Sequence, residues 1–495
     1  MSFPSVSLLL SAQLPFTPLR ERGSDWSAGE IAFFRALSEC YLPLFDALQE
    51  IARRHEPPKP QLTIAISPVL VTMLEIPRLR QRYSEYLLQG VALAEEDLRA
   101  YRFDGSRQET AQAFRDRFVR LLKRFTHDWR EDVLAPLKDL SRRGLIEMAG
   151  APATPAILPL LSPSEGWLGT QIEIGQREIE RAFGRKPRGF LLPDGAYCAE
   201  LDPVLSQQGV EWIALESNST PPGVTMTPSG VKVLWTQREI TRSLWDATSG
   251  FSADAVYRHC PPTEISDPLA RANFGMSYGR RGAKSDAYRR GQAMNRMADH
   301  ADEFAKELRF EHGTVGVAMP METFGHGWCE GVAFLQTLFS ADRDLTWITP
   351  TEAMVDSWVE MPGLTSSGRG RTLESWVGDR TLPVFPHLYD TMSEVRSCAR
   401  ALAPLGAAAQ PTQTGALAQM IREILLAQSG DCLLFLQNST GHGEFTRPMV
   451  SALLRLRELI DRWKHGRIES DFLGECFREN PLFPQLDWRT LASAP

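Results

Sequence analysis

One carboxylate, Asp194, occupies a position from which it could do chemistry. It lies in the stretch RKPRGFLLPDGAY, residues 185–197, where a basic turn precedes a short apolar strand predicted over 189–192 and a Pro-Asp-Gly turn follows it. In a parallel α/β barrel, the loops at the carboxyl ends of the strands converge on one mouth, where catalytic residues are found. Asp194 is therefore our first candidate site residue, although Pro-Asp-Gly is also ordinary turn chemistry.

The segments that must position this carboxylate alternate between strand-like and helical patterns. Such alternation is typical of parallel βα units. The strands are predicted at residues 6–12, 61–66, 144–148, 189–192, 212–215, 231–235, 314–318 and 345–348, the last of which we expect to close the barrel.

Long helical patterns interrupt and follow the predicted barrel. Residues 69–143 are almost wholly helical, with many oppositely charged pairs four residues apart. That is too much helix for one crossover, so we predict an insertion at about 75–140. A Gly/Ser/Arg linker at 366–371 separates a barrel domain, residues 1–365, from a helical domain, residues 372–495.

Composition excludes several classes of protein. The chain has 495 residues and a net charge of −7, which argues against nonspecific binding of nucleic acid. It has no run of roughly 20 apolar residues, so we expect no membrane span. Its seven cysteines are scattered and form no CxxC pair, which favours neither a disulfide framework nor a zinc site. We therefore expect a cytoplasmic protein without a cofactor.

Seven runs of sequence carry a resemblance to a known family. They are LLLSAQLPFT, SECYLPLFDAL, LTIAISPVL, GLIEMAGAPATPAILPLL, FGRKPRGFLLPDGAY, METFGHGWCEG and LLAQSGDCLLFL. In this order and spacing the chain resembles glycoside hydrolase family 57, specifically its 1,4-α-glucan branching enzymes. The resemblance implies a (β/α)7 barrel with a helical insertion and a helical C-terminal domain. It also implies a retaining reaction on α-glucosidic links, with a glutamate nucleophile and an aspartate acid.

The positions at which the family pattern carries its chemistry are changed in this chain. Ser11 and Gln13 stand where the pattern has His-x-His, and Pro155 stands where it has a further histidine. Asp194 replaces the nucleophilic glutamate, and Pro320 replaces the aspartate that acts as the acid. The scaffold motifs around these positions remain. The resemblance thus predicts the family fold around a degenerate catalytic site.

These changes have a predictable cost for catalysis. A retaining glycosidase needs two carboxyl groups about 5 to 5.5 Å apart. Asp194 is one bond shorter than glutamate, and a misplacement on the order of 1 Å can cost about 100-fold in rate. Pro320 has no proton to give, and loss of a general acid typically removes about 10²–10⁴.

Two other carboxylates near these positions have a functional and a structural interpretation. Glu322 lies two residues beyond Pro320 and would point the same way in an extended segment, so it could serve as a displaced acid. Alternatively it only organises the site by hydrogen bonding, because the family pattern already has a glutamate there. Asp431 lies where the pattern has Ser-Asp-Trp, and it is either a sugar contact or a helix-terminal acid.

Aromatic rings could retain a sugar-binding role after catalysis is lost, because they pack against the apolar faces of pyranose units. The resemblance places four of them in or beside mouth loops: Trp167, Tyr278, Trp328 and Trp376. Core packing is the commoner fate of such side chains. His326 is the only histidine within a recognised motif, so no metal site is predicted.

The sequence therefore predicts an α-glucan protein that is inactive or strongly impaired and that retains a glucan-binding or regulatory role. The expected ligand is an α-glucan or maltooligosaccharide, and an active enzyme of glycogen metabolism is the expected protein partner. The alternative is an altered but active glucan transferase or hydrolase that uses Asp194 and Glu322. A barrel that only scaffolds a partner protein is a third hypothesis. We expect Asp194 and Glu322 to face one cleft, with Ser11, Gln13 and Pro155 around its floor.

Overall fold

Seven parallel strands form a nearly closed barrel in the computed structural model of the protein. The structure describes residues 4–18, 25–53, 61–217, 224–264, 267, 269–340, 345–354, 359–360, 366–367, 373–438 and 443–493. The barrel strands are β1 Ser5–Ala12, β2 Leu62–Ile66, β3 Ile146–Ala149, β4 Gly189–Phe190, β5 Trp212–Ser217, β6 Lys232–Gln237 and β7 Thr314–Pro320.

The strands follow one another around the barrel in sequence order. β1 pairs with β2 on one side and with β7 on the other, and β5 joins β4 to β6. The step from β3 to β4 is made by a parallel bridge between Gly150 and Phe190, and the step from β6 to β7 by the pair Thr236 and Gly316. The predicted parallel barrel is therefore confirmed.

The strands are apolar because helices cover the outside of the barrel and side chains fill the inside. All five residues of β2, LTIAI, are buried. In β1, six of the eight residues are buried, five of them in one continuous run and the sixth at Ala12. Continuous burial of this kind is typical of strands in parallel sheets, which are covered on both faces.

The predicted closing strand at 345–348 does not close the barrel. Only Thr346–Trp347 is a strand, and it pairs in parallel with Ser5 and Val6 of β1. β2 covers β1 only from Leu9 to Ala12, so the start of β1 has a free edge on that side. The short strand fills this edge, while β7 closes the barrel by pairing with β1 from Ser5 to Ser11.

The remaining described strands are short. They are Tyr197–Cys198, Val224–Met226, Gly279–Arg280, Ala283–Ala287, Val359–Glu360 and Ser366–Ser367. Three antiparallel pairings occur among them or with β6, and they lie outside the ring of seven.

The α-helices of the barrel half precede and follow its strands. They are α1 Ala28–Ala36, α2 Leu42–Arg53, α3 Pro68–Glu75, α4 Pro77–Ala100, α5 Gly105–Lys123, α6 Leu134–Arg142, α7 Trp167–Phe183, α8 Leu201–Gln207, α9 Arg238–Trp245, α10 Arg290–Arg309, α11 Gly331–Ser340 and α12 Pro350–Ala353. A π-helical turn, Leu37–Tyr41, joins α1 to α2, and Arg124–Asp128 is a second π-helical turn. Single 3₁₀ turns lie at Leu158–Leu161, Pro193–Gly195, Phe251–Ala253, Arg271–Phe274 and Met321–Thr323.

The helical insertion lies between β2 and β3. Asp104 begins α5 by accepting a hydrogen bond from the backbone nitrogen of Arg107 at 3.1 Å, the usual N-cap arrangement. Tyr86 of α4 and Phe118 of α5 stack edge to face with ring centroids 6.4 Å apart. The insertion is thus a packed pair of long helices, as the pattern of 69–143 predicted.

The C-terminal region is helical. It contains α13 Val384–Leu402, α14 Pro411–Ala427, α15 Gly430–Asn438, α16 Gly443–Lys464, α17 Ser470–Glu479 and α18 Arg489–Ser493, with a 3₁₀ turn at Ala403–Ala408. The buried Glu423 of α14 accepts hydrogen bonds from Arg455 of α16 at 2.9 Å and from Asn480, which follows α17, at 3.1 Å. Most of the predicted linker at 366–371 lies outside the described residues, and the domain boundaries at 365 and 372 stay predictions. Across the described part of the chain, the structure offers no helix that combines the length and the apolar character of a membrane span.

Candidate functional site

The carboxyl ends of β1 and β7 meet at the barrel mouth. Ser11 of β1 lies directly beside Pro320 of β7 in the parallel register. Ser11 is half-buried and Pro320 is exposed. Neither side chain can act as a carboxyl acid or an imidazole base, so this pair of strand ends brings no proton-transfer group to the mouth.

Glu322 follows directly, in the 3₁₀ turn Met321–Thr323. Its Oε1 accepts a hydrogen bond from the backbone nitrogen of Gln13 at 3.1 Å and another from the hydroxyl of Tyr41. Burial raises the pKa of Glu322, and these two hydrogen bonds oppose that rise. Glu322 therefore joins the end of β1, the π-helical turn and the loop after β7.

Asp431 reaches the mouth from the C-terminal region. Gln13 Nε2 donates a hydrogen bond to its Oδ1 at 2.8 Å. Its Oδ2 is buried and has no hydrogen-bond partner among the residues that the structure describes. The pKa of Asp431 is raised to about 7, mainly by burial and in addition by the negative charges of Asp194 and Glu322, while the hydrogen bond from Gln13 opposes the rise.

Asp194 is exposed on the 3₁₀ turn Pro193–Gly195 after β4, with a backbone φ of 51°. Asp and Asn tolerate this left-handed conformation better than most residues, which suits the turn. Its charge acts on Asp431 together with that of Glu322. The structure thus gathers Asp194, Glu322 and Asp431 within electrostatic reach of one another.

His326 belongs to a different contact at the mouth. Its Nδ1 is hydrogen-bonded to Oε2 of Glu39, whose Oε1 accepts a hydrogen bond from Arg35 Nε at 3.0 Å. Burial opposes ionisation of Glu39, yet the nearby Arg35 and His326 hold its pKa at about 2. His326 is therefore tied to a buried ion pair, which fixes the loop after β7 against the π-helical turn that follows α1.

The predicted sugar-facing tryptophans are buried. Trp167, Trp328 and Trp376 have exposed fractions of only 1%, 0% and 2%. Trp167 Nε1 donates to the backbone oxygen of Met392 at 3.3 Å, and Trp328 packs on Phe334 with ring centroids 4.9 Å apart. In this structure the three rings fill the core and present no face to a ligand.

Tyr278 is half-buried against the helical insertion. Its hydroxyl donates to Oδ2 of Asp97 at 2.5 Å. Its ring lies 4.8 Å from that of Tyr101 and 5.6 Å from that of Phe114, centroid to centroid. These contacts hold the loop after β6 on the insertion.

We expected Pro155 to line the floor of an open cleft, but the structure places it elsewhere. It is buried, and its backbone oxygen accepts a hydrogen bond from the nitrogen of Gly430 at 2.9 Å. The start of α15 therefore covers it. The same contact brings Asp431, the next residue, to the mouth.

Sequence reasoning missed Tyr41 and Glu39. Tyr41 lies in the helical run SECYLPLFDAL, where periodicity does not show which hydroxyl finds an acceptor. Glu39 is a charged residue inside a strongly apolar pattern, and this signal could have identified it because buried carboxylates are almost always paired. Among the described residues, no group of three or more His, Cys, Asp or Glu side chains is arranged to hold a metal ion.

The raised pKa of Asp431 predicts how the stability of the fold changes with pH. A carboxyl whose pKa is higher in the folded than in the unfolded chain destabilises the fold as pH rises from about 4 to about 7. Asp431→Asn keeps an oxygen to accept from Gln13 but cannot ionise. The variant should be more stable than the wild type, and this advantage in the free energy of unfolding should grow by on the order of 2 kcal/mol from pH 5 to pH 8 in urea titrations.

Asp116→Asn is the matched control for Asp431→Asn, because Asp116 is an exposed carboxylate on α5. Substitution of this exposed residue should change the free energy of unfolding only slightly. A difference between Asp431→Asn and the wild type that does not change with pH would contradict the assignment of a proton to Asp431.

Most of the chain matches known protein families. The profile of glycosyl hydrolase family 57 matches residues 18–355, and the profile of the 1,4-alpha-glucan branching enzyme C-terminal domain matches residues 388–490. The 1,4-alpha-glucan branching enzyme of Thermococcus kodakarensis is 25% identical over 97% of this chain and 77% of its own length.

Solved structures show the same fold. The alpha-amylase AmyC of Thermotoga maritima superposes with a TM-score of 0.87 at 24% identity, covering 100% of both chains. The family 57 branching enzyme of Pyrococcus horikoshii superposes with a TM-score of 0.87 at 21% identity, covering 99% of this chain and 97% of its own. One neighbour is named as an amylase and the other as a branching enzyme, so the fold alone does not select a reaction. The family match, which spans more than half of the sequence, shows that the chain belongs to glycosyl hydrolase family 57.

Proposed function

We propose that this chain is an α-glucan-binding protein of family 57 that does not carry out the family's double displacement at an ordinary rate. The observation that carries the proposal is the pairing of Ser11 with Pro320 at the carboxyl ends of β1 and β7. The mouth thereby lacks a proton donor at the strand end where the resemblance expects the acid. A retaining glycosidase cannot expel its leaving group efficiently without one.

Glu322 is a poor substitute for the missing acid in this arrangement. A general acid must present its proton to the leaving oxygen of the substrate. Oε1 of Glu322 instead accepts hydrogen bonds from the backbone of Gln13 and from Tyr41. These contacts support the structural interpretation, in which Glu322 holds the loop after β7 against β1.

Asp194 is a weak candidate for the nucleophile. It follows β4 as the resemblance requires, and it is exposed at the mouth. Its side chain is one methylene shorter than glutamate, so the attacking oxygen is drawn back from the anomeric carbon by about one bond. A displacement of that size can cost about 100-fold.

Binding of a glucan depends on different properties of the mouth. Ser11 offers a hydroxyl, Gln13 an amide and Asp194 a carboxylate, and all three types pair with sugar hydroxyl groups. The three side chains are half-buried or exposed. Together with the family membership and the branching enzymes among the relatives, this supports an α-glucan or maltooligosaccharide as the ligand.

A binding protein with an idle catalytic centre can act by recruiting an enzyme to its ligand. We place such a regulatory role in the cytoplasm, beside an active enzyme of α-glucan metabolism. The seven unpaired cysteines support a reducing compartment.

A weak or altered transferase is the second candidate. One observation favours it: burial raises the pKa of Glu322, and a pKa raised by burial is a property of carboxyl groups that act as general acids. In this hypothesis Asp194 attacks and Glu322 protonates. Glu322→Gln would then abolish activity. If Glu322 takes no part in catalysis, the variant and the wild type should have the same activity.

Calorimetric titration with maltoheptaose tests the proposed binding. We expect the wild type to bind, and we expect Gln13→Ala and Asp194→Ala each to weaken binding by about tenfold, because each removes hydrogen bonds to sugar hydroxyls worth roughly 1.4 kcal/mol. Asp116→Asn removes a charge on α5 and should bind like the wild type. No heat of binding at millimolar maltoheptaose would contradict the proposal.

A further inference from the structure

Two cysteines from distant parts of the chain meet beside the barrel mouth. Cys260 lies in the loop after β6, and Cys329 lies in the loop after β7. Their Sγ atoms are 3.1 Å apart, although the two cysteines are 69 positions apart in sequence. Both side chains are half-buried, so a small oxidant can reach them.

We propose that Cys260 and Cys329 form a dithiol site that a peroxide oxidises to a disulfide, joining two loops of the mouth. A disulfide has an S–S distance of about 2.05 Å, so the two sulfur atoms must approach by only about 1 Å. The proposal goes beyond the glucan-binding function and does not depend on it.

The surroundings of Cys260 favour its thiolate. The hydrogen bond with Cys329 lowers its pKa to about 7, and the positive charges of Arg281 and Arg258 contribute against the effect of burial. Arg281 Nη2 lies 3.7 Å from the Cys260 sulfur. The thiolate is the reactive form of cysteine, so Cys260 should be the sulfur that reacts first.

Cys329 is suited to be the resolving thiol. Its pKa is raised, first by the hydrogen bond with Cys260 and then by burial. It therefore keeps its proton while Cys260 is ionised. Once Cys260 is oxidised, Cys329 is the thiol already in contact with the oxidised sulfur.

The two steps balance as an ordinary peroxide oxidation. The Cys260 thiolate attacks one oxygen of hydrogen peroxide, the O–O bond breaks, and the sulfur becomes a sulfenic acid as hydroxide leaves. The Cys329 sulfur then attacks the sulfenic sulfur and displaces its hydroxyl as water. Two thiols and one peroxide thus become one disulfide and two waters.

The loops are already held in place for this bond. Arg281 Nη2 donates to the backbone oxygen of Gly327 at 2.7 Å, and the Cys260 thiol lies 3.1 Å from the same oxygen. His259 is fixed by a backbone hydrogen bond to Gly279 at 2.8 Å. Oxidation would therefore lock the existing arrangement of the turn that carries His326.

The other five cysteines lack this environment. Four are buried: Cys40, Cys398, Cys432 and Cys476. Cys198 is half-buried like the pair, but burial raises its pKa to about 12. Cys198 is therefore the matched control for reactivity.

The test is oxidation of the full chain with one equivalent of hydrogen peroxide at pH 7.5, without glucan, followed by thiol counting and peptide mass mapping. We expect the wild type and Cys198→Ser each to lose two thiols. The mass map should show a Cys260–Cys329 cross-link that dithiothreitol reverses. Iodoacetamide should label Cys260 of the reduced protein at least about tenfold faster than Cys198.

Variants of the pair separate the two steps. Cys329→Ser should stop at a sulfenic acid on Cys260, which dimedone traps, and Cys260→Ser should form no cross-link. The proposal is overturned if peroxide modifies another cysteine first, or if wild-type Cys260 is oxidised without joining Cys329. If a serine variant folds poorly, the mass map of the wild type still shows whether Cys260 and Cys329 become cross-linked. Because the readout is sulfur chemistry, failure here leaves the glucan-binding proposal untouched, and failure of glucan binding leaves this one untouched.

Discussion

Purified protein should produce no measurable branching of amylose, and four substitutions made together should create activity that none of them creates alone. Loss of the acid removes about 10²–10⁴ in rate, and the shorter nucleophile removes about 10² more. Groups that act as a unit do not give factors that multiply, but either change alone lowers the rate by about 100-fold or more. Iodine staining of amylose and reducing-end counting would measure branching and hydrolysis in parallel.

The restoring variant combines Asp194→Glu, Pro320→Asp, Ser11→His and Gln13→His. All four positions are exposed or half-buried, so the fold should accept the new side chains. Each single substitution should do little, because groups that act as a unit are strongly non-additive. Pro320→Asp without a nucleophile of full reach, for example, supplies only half of the chemistry.

Pro155→His is the substitution to leave out, although the family resemblance suggests it. Pro155 is buried under the start of α15, and a histidine there would place a polar ring in the core. Added to the other four, it should lower the yield of folded protein. It therefore serves as a negative control for the choice of positions.

Wild-type activity of about 1 s⁻¹ or more, within the ordinary range of enzymes, would contradict the idle-site proposal. Glu322→Gln in the wild-type chain would then show whether the displaced acid is responsible. A fall to background would favour the altered transferase with Asp194 and Glu322. An unchanged rate would direct the search for the acid to Asp431, whose pKa is raised to about 7.

The barrel could be predicted from sequence because its signals are local. Runs such as LTIAI at 62–66 are short, apolar and bounded by turn residues, and each became a strand. The positions of Asp194 and Glu322 after strands also follow from local pattern, since parallel strands all end at one mouth. The strand that closes the barrel could not be identified from local sequence. Residues 345–348 look like a strand in sequence, but register with β1 decided that β7 closes the barrel.

The contacts that define the site could not be predicted, because they join residues far apart in sequence. Gln13 and Asp431 are 418 positions apart, and Glu39 and His326 are 287 apart. A tryptophan in a loop motif gives no sign of whether its ring points outward or inward, and Trp328 points inward. Cys260 and Cys329 form no sequence motif at all, so only the fold brings them together.

Gly325→Ala should be the most damaging small substitution at the mouth, whereas Gly327→Ala, two residues away, should be nearly silent. Gly325 has a φ of 111°, which side chains rarely adopt, and a Cβ there would lie 2.0 Å from the backbone oxygen of Glu39. Backbone cannot move aside as a flexible side chain can. We expect a loss of about 4 kcal/mol from backbone strain and overpacking together, a large part of the stability of an ordinary protein.

Gly327 is the matched control because it shares the same turn and the same chemistry of substitution. The atom nearest to a Cβ added at Gly327 would belong to Thr323 and lie 3.6 Å away, an ordinary van der Waals contact. The free energies of unfolding from urea titrations should therefore differ by several kcal/mol between Gly325→Ala and Gly327→Ala. Equal values would show that the turn is not pressed against Glu39. The close fit at Gly325 gives a physical reason why the turn that carries Glu322 and His326 would stay intact in a chain without the catalytic acid that we propose is missing: the geometry of the turn is required for folding, and that requirement does not depend on catalysis.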